Sequence, residues 1–243
     1  MRRPLLSFGA TLLLLVSIAF SGCISSDSTT TELRGDCRFS QLTGEEYFPG
    51  GQDYLVHPPE SAPNWNADLT YCDFRNTNLT AEFMQGVNLS GSDLSGASLF
   101  LMYLSYVDLT DAEIVGADLR GIRMDESNLS GADLSDSNIT GLRIHFTDLS
   151  HAKLTNAILT EIYMSDSSSL FEADLSGAQM QYGVIRDDMT YADLSNANLT
   201  GTDLSQAYIT GVIWDNTICP DGTNSDNNGD TCENNLEPAE MEY

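Results

Sequence analysis

An all-β chain wound as a stacked coil is the fold predicted by three features of this sequence. From Ala67 to Asp166 it reads as twenty consecutive five-residue units in unbroken register. The third residue of every unit is apolar, from Leu69, Phe74 and Leu79 through to Leu154, Leu159 and Met164. The first residue is small (Ala, Ser, Thr, Val or Cys) in fifteen units, and the five exceptions, Glu82, Met102, Ile122, Leu142 and Ile162, fall twenty residues apart. Units of five nested in a period of twenty make four units per turn of a coil that stacks on itself. Amphipathic helices are excluded, because a period of five keeps no stripe on one helical face.

Residues 1–22 read as an export signal. Arg2 and Arg3 give a positive start, an apolar run covers Leu12 to Phe20, and Ser21-Gly22 precede Cys23. Phe20-Ser21-Gly22-Cys23 resembles the lipobox of prokaryotic lipoproteins, with Phe in place of the usual Leu; the resemblance implies a diacylated Cys23 at the mature N-terminus. The run is short for an uncleaved membrane span. Arg2-Arg3-Pro4-Leu5-Leu6 loosely matches a twin-arginine signal, so the export route, Sec or twin-arginine, stays open. Residues 23–36, rich in Ser and Thr without apolar period, read as a flexible tether. The expected location is extracytoplasmic, anchored to the membrane by an N-terminal lipid.

Residues 37–66 hold Phe39, Tyr47, Phe48, Tyr54, Leu55 and Trp65 between turn signals at Pro49-Gly50-Gly51 and Pro58-Pro59. A stacked coil exposes apolar axis and unpaired strand edges at each end, so this aromatic segment is the expected N-terminal cap. With Cys23 lipidated, Cys37, Cys72, Cys219 and Cys232 remain, an even number that favours two disulfides in an exported chain. Sequence neighbourhood suggests Cys37–Cys72 and Cys219–Cys232, without proving the connectivity. A Cys37–Cys72 bridge would fasten the cap to the first coil.

Residues 67–216 are the repeat. Its units include Ala67-Asp68-Leu69-Thr70-Tyr71, Ala117-Asp118-Leu119-Arg120-Gly121, Ala132-Asp133-Leu134-Ser135-Asp136 and Ala197-Asn198-Leu199-Thr200-Gly201. They resemble the pentapeptide-repeat family. The resemblance implies a right-handed quadrilateral β-helix, with the central residue and the small residue two before it facing inward. Physical reasons attach to each position. The apolar centre fills the axis, and the Asp or Asn before it has a short polar side chain able to bond nearby backbone. Ser or Thr follows the centre in thirteen of the twenty units, and Gly, Asp or Asn ends twelve of them, which suits a corner at every unit. At ~4.8 Å per coil, the repeat makes a rod of roughly 35 Å.

Two irregularities compensate. Met164 and Leu175 are eleven apart instead of ten, and Met180 and Met189 are nine apart, so a bulged coil is expected and not a domain boundary. Residues 217–243 form the C-terminal tail. Its Cys219-to-Cys232 stretch resembles a short disulfide-closed element that follows such repeats in some exported proteins. Within it, Asn224, Asp226, Asn228 and Asp230 resemble the first half of a calcium loop, but its twelfth position is Asn235 where Glu is expected. A plain Asx-turn loop is the competing reading. Glu233 to Tyr243 is acidic and expected to be disordered.

The best candidate for a binding surface is the atypical column of the repeat. Before the centre it carries Phe83, Tyr103, Arg123, Arg143 and Tyr163, where other columns carry mostly Asp, Asn, Glu or Ser. Four-fold stacking would put these five on one face, one coil apart. Arg123 over Arg143 would repel unless Asp125, Glu126 or a partner neutralises them. The chain's own 36–66 segment is an alternative cover for this face.

No catalytic residues are expected. His57 lies beside prolines, His145 in an outward position and His151 at a corner, none beside a constellation for a metal or nucleophile. Carboxylates and the Asn-x-Ser/Thr sites at Asn78, Asn88, Asn128, Asn138 and Asn198 come with the repeat. The net charge of −26, with Lys153 the single lysine, disfavours binding to nucleic acid or anionic lipid and favours cations or basic partners. The expected function is a non-enzymatic, lipid-tethered scaffold for a protein partner at the cell envelope, without cofactor unless calcium binds. The family resemblance implies an alternative, since some members mimic DNA and protect type II topoisomerases; those targets are cytoplasmic, unlike an exported chain. Calcium-dependent surface adhesion is the third reading.

Overall fold

The computed structural model describes residues 68–79 and 83–238. Among these the chain winds into an all-β quadrilateral solenoid with four walls. On the first wall, seven successive parallel bridges run Asp68, Asn88, Asp108, Asn128, Asp148, Ser169, Asp188, Tyr208. The second and third walls repeat the pattern, starting from Asp73↔Asp93 and Asn78↔Ser98. The fourth wall is a six-stranded parallel sheet in sequence order: β1 (Phe83–Gln85), β2 (Tyr103–Ser105), β3 (Arg123–Asp125), β4 (Arg143–His145), β5 (Tyr163–Ser165) and β6 (Val184–Ile185).

Units on the first three walls close on a common set of hydrogen bonds. The Leu69 N–H donates to the Asn88 carbonyl of the next coil at 2.7 Å, and the Tyr71 N–H to that of Ser90 at 3.0 Å. The Asp93 N–H reaches back to the Cys72 carbonyl at 2.8 Å, while the Cys72 N–H closes a turn onto the Leu69 carbonyl at 3.3 Å. The third residue of that turn, Tyr71, has φ +57°, as a type II turn demands. The same fifth position is left-handed at Asn76, Gly91, Asp111 and Gly141. This is why Gly, Asn and Asp collect there.

The residue before the centre stabilises the corner. Its side-chain Oδ1 accepts the N–H two residues on, as in Asp93 from Ser95 at 3.0 Å and Asn128 from Ser130 at 2.9 Å. Central and first-position side chains fill the axis, with Phe74, Leu119, Ile144 and Leu154 fully buried. Each such burial contributes ~1.5–3 kcal/mol before the entropy of ordering is set against it.

On the fourth wall strands β1 to β5 run one residue past the centre. The hydroxyls of Ser127, Thr147 and Ser168, first residues of the next units, donate to the Asp125, His145 and Ser165 carbonyls at the ends of these strands.

The bulged coil is a matched pair of corners. Bridges step by twenty-one at Asp148↔Ser169 and Lys153↔Asp174, then by nineteen at Ser169↔Asp188 and Asp174↔Asp193. The extra residue sits after β5, where Asp166 and Ser167 are both left-handed. The missing one is directly above it, after β6. There Asp187 turns inward, is buried, and accepts the Ser167 N–H at 3.1 Å. An inserted donor thus acquires an acceptor from the shortened corner.

The tail folds over the last coil. Ile218 pairs antiparallel with Asn224, the Ser225 N–H donates to the Thr217 carbonyl at 2.8 Å, and the Ser225 hydroxyl donates to the Trp214 carbonyl. Cys219 and Cys232 form a disulfide. The expectation of a disordered 233–243 is corrected for 233–238. Leu236 packs against the core, and its carbonyl accepts the Leu204 N–H at 2.9 Å. The physical reason is the open coil end, which needs both an apolar cover and a hydrogen-bond partner.

The expected signal peptide, Cys23, the tether, Cys37 and the N-terminal cap lie outside the described residues, as do residues 239–243. Cys72 is buried and disulfide-bonded, its partner also outside them.

Candidate protein-binding face

The column singled out in the sequence becomes the fourth wall. Phe83, Tyr103, Arg123, Arg143 and Tyr163 begin β1 to β5 and pair in register, each directly above the last. The Phe83 and Tyr103 rings are stacked, with centroids 5.2 Å apart and planes 9° from parallel. The inward residues of the wall are the large exceptions Met102, Ile122, Leu142 and Ile162, all buried. The corners beside it carry exposed Leu101, Tyr106 and Phe146, which were not anticipated. Their signal in the sequence is a bulky residue at the fifth position, where the corner prefers Gly or Asn.

The electrostatics of this face differ from those elsewhere. Cations on the other walls are paired: Arg75 with Asp73 at 2.6 Å, Arg120 with Asp118 at 2.7 Å, and Lys153 with Asp133 at 3.5 Å. Side-chain hydrogen bonds from Arg75 and Arg120 hold the Asp73 and Asp118 carboxyls below the usual range. On the fourth wall, exposed Arg123 and Arg143 form no ion pair with a described residue, nor does Arg186, which follows β6 on the same wall.

The neighbouring acids are engaged by other groups. The Tyr103 hydroxyl donates to Asp125, and that of Tyr106 to Glu126 at 2.6 Å. Burial, then the hydrogen bond to Asp125, pushes the Tyr103 phenol up to about 12. Asp166 lies 2.9 Å from the Ser165 hydroxyl and 3.0 Å from His145 Nδ1, contacts that lower its pKa. Of the groups that could offset the repulsion between Arg123 and Arg143, neither Asp125 nor Glu126 forms an ion pair with them, and each instead accepts a tyrosine hydroxyl from the coil below.

His145 has a constellation that the sequence did not reveal. Its Nδ1 is 3.0 Å from both the Ser165 hydroxyl and Asp166. A nucleophile relay needs Ser and Asp on opposite ring nitrogens, whereas here they share one. His151 Nδ1 lies 3.2 Å from Glu172 at a corner.

In the tail, Asn224 caps a 3-10 turn (Ser225–Asn227) and accepts the Asp226 N–H at 2.9 Å. Asp226 accepts the Asn216 N–H at 2.8 Å, and Asn228 donates to Thr223 at 2.6 Å. Three of the four calcium candidates thus hold the cap together, and Asp230 adopts φ +61°. Among the described residues, no group of three or more His, Cys, Asp or Glu is placed to hold a metal ion.

Fold and face together define a short-period repeat solenoid with one wall unlike the other three. The model of the family of pentapeptide repeats matches in eight copies, over residues 65–99, 81–121, 103–141, 147–181 and 188–213. The chain belongs to the pentapeptide-repeat family. Among solved structures it is similar to HetL, a pentapeptide repeat protein involved in heterocyst differentiation regulation from the cyanobacterium Nostoc. That match has 22% identity and a TM-score of 0.29, covering 65% of this chain and 91% of that one. It is also similar to full-length QnrB1, a plasmid-mediated fluoroquinolone resistance protein, at 19% identity and a TM-score of 0.32, covering 60% and 83%. No curated protein matches the chain.

Proposed function

We propose that this protein is an exported, lipid-anchored, non-enzymatic scaffold whose fourth wall binds a protein partner at the cell envelope. The observation that carries the reading is that wall itself. Aromatic rings and arginines, the side chains enriched at interfaces, are ranked one per coil on a rigid sheet in an otherwise acidic molecule. A solenoid presents such a row without a pocket, so its work is display and not chemistry. The export signal and lipobox-like Cys23 support the envelope as the setting.

Two measurements test this reading. Labelled palmitate incorporated by wild type and not by Cys23→Ser would support anchoring, and equal labelling would refute it. A photo-crosslinking residue at position 103 should capture a partner in envelope fractions, while one at position 198, on the third wall, should not. Capture at both positions or at neither sinks the binding-face reading.

The acidic first and second walls, with columns such as Asp73, Asp93, Glu113 and Asp133, favour a second reading. In it, the carboxylate ladders imitate DNA toward a type II topoisomerase. Inhibition or protection of such an enzyme by the purified chain in a supercoiling assay would promote that reading, and no effect would remove it. Calcium-dependent adhesion rests on the tail loop alone, and calorimetry without heat up to millimolar calcium would end it.

A further inference from the structure

The arginines of the fourth wall also specify the chemistry of what binds there. We infer that the wall receives an extended acidic peptide segment of a partner protein, laid along the rod axis with its carboxylates on Arg123, Arg143 and Arg186. This deepens the scaffold reading and rests on it.

The inference comes from how charge is distributed. With a net charge of −26, an unpaired arginine is the least expected side chain on this surface. Arg75, Arg120 and Lys153 on the other walls all have carboxylate partners. The three described cations without an ion pair share one wall, and two of them begin adjacent strands, β3 and β4. The acids beside Arg123 and Arg143 have other hydrogen-bond partners. Tyrosine hydroxyls from the coil below engage the adjacent Asp125 and Glu126, and His145 and Ser165 engage Asp166. Arg123 and Arg143 keep their fork of donors free, a geometry matched to carboxylates, whereas Arg186 makes no ion pair but already acts through space on Asp203 of the next coil.

Spacing selects the ligand's form. Arg123 and Arg143 are one coil apart in one column, and Arg186 is two coils beyond and two residues further along the wall, level with Ser165, so the three span roughly 16 Å at ~4.8 Å per coil and ~3.3 Å per residue. An extended peptide covers that distance in about four or five residues at ~3.3 Å each. The strand edges of the wall are already paired along the axis, so binding is through side chains and not by strand addition. Tyr103 and Tyr163, flanking the arginine pair, add flat surface for the peptide's apolar atoms. A long polyanion such as duplex DNA would extend past the wall into the carboxylate ladders next to it and be repelled. A short acidic segment fits between them.

The test uses the purified full chain with fluorescein-labelled hexaglutamate, hexaglutamine as the neutral control, and a duplex DNA oligomer, read by anisotropy at ~0.15 M salt, where repulsion from the net charge of −26 is screened beyond ~8 Å. Hexaglutamate should bind in preference to hexaglutamine. The triple variant Arg123→Ala, Arg143→Ala, Arg186→Ala, confirmed as folded by circular dichroism, should bind about tenfold or more weakly. Charge-preserving Lys replacements should restore part of the loss, which guards against a merely structural effect. Absence of hexaglutamate binding by wild type, equal binding by the triple variant, or tighter binding of duplex DNA would each overturn the proposal. Crosslinking from position 103 in envelope fractions separates the two readings. A partner still captured by the triple variant keeps the scaffold and removes the acidic segment.

Discussion

The Tyr103 hydroxyl donates to Asp125, one coil above it, although Arg123 projects from the same strand as that carboxylate. This bond engages a carboxylate two residues along the strand from the arginine. Replacing Tyr103 with Phe retains the stack on Phe83 and releases Asp125 to pair with Arg123. Hexaglutamate binding should weaken by about two- to fivefold, the scale of an exposed ion pair. Unchanged affinity in the anisotropy titration would mean that another feature keeps Arg123 free.

The same contact predicts an alkaline response. Burial first, and then the hydrogen bond to Asp125, raises the Tyr103 phenol from 10.0 to about 12. A raised pKa in the fold means a contribution intact below pH 10 and lost as pH climbs through about 12. In Asp125→Asn the Tyr103 midpoint should drop only part of the way, because burial persists. Ultraviolet difference titration of wild type and variant reads this directly, and a full return to the free-tyrosine value would refute the ordering of causes.

At acid pH the sign reverses. The side-chain hydrogen bond from Arg120 holds the Asp118 carboxyl below its usual value. A depressed pKa stabilises the fold above the unfolded value, about 3.9, and this contribution disappears as pH falls through the lower folded value. Asp118→Asn should therefore lower the melting temperature slightly at neutral pH, and the gap should narrow as pH falls below the unfolded value. Thermal melts across that window check it; an equal gap at both ends would count against linkage as the cause.

Two glycines separate packing from backbone strain. A Cβ on Gly183 would lie 2.6 Å from Ile162 Cγ2 and 3.1 Å from the Ile162 carbonyl oxygen, inside the axis. Gly116 has open space around it but a φ of +64°. Gly183→Ala should cost ~1–3 kcal/mol through overpacking, and Gly116→Ala ~1–2 kcal/mol through the left-handed conformation. Combining Ile162→Ala with each tells them apart in denaturant melts. Only the Gly183 variant should show strong non-additivity.

The tail predicts a fluorescence signal. Trp214 is 4% exposed, and its carbonyl accepts the Ser225 hydroxyl inside the loop closed by Cys219 and Cys232. Replacing both cysteines with Ser should cost ~3 kcal/mol for a loop of this length. In a Trp65→Phe background, the remaining emission should shift to the red as the cap loosens. An unshifted spectrum with unchanged stability would show that hydrogen bonds and Leu236 hold the cap without the bridge.

Much of this was legible beforehand because a solenoid translates sequence spacing into spatial position. The twenty-residue interval from Tyr103 to Arg123 to Arg143 is one coil in the structure, and the atypical column became the six-stranded wall. The compensating irregularity near Ser167 and Asp187 was visible as spacing, whereas the hydrogen bond between them was not. The period sets which side chains are neighbours across coils, but not which of them bond. Tyr106 to Glu126 and His145 to Asp166 are such bonds, and their absence from the sequence reading left the state of the arginines undecided.

Chain order alone was enough for the solenoid, its four walls, the corner residues and the column set apart, since each follows from which side chains a repeating backbone can bury or bend. Tertiary packing decided which charges on that column remain available. Arg123 competes for Asp125 with a tyrosine that reaches it from the neighbouring coil. It also decided that residues 233–238 close the last coil, because an open end needs an apolar lid and an acceptor, and Leu236 supplies both.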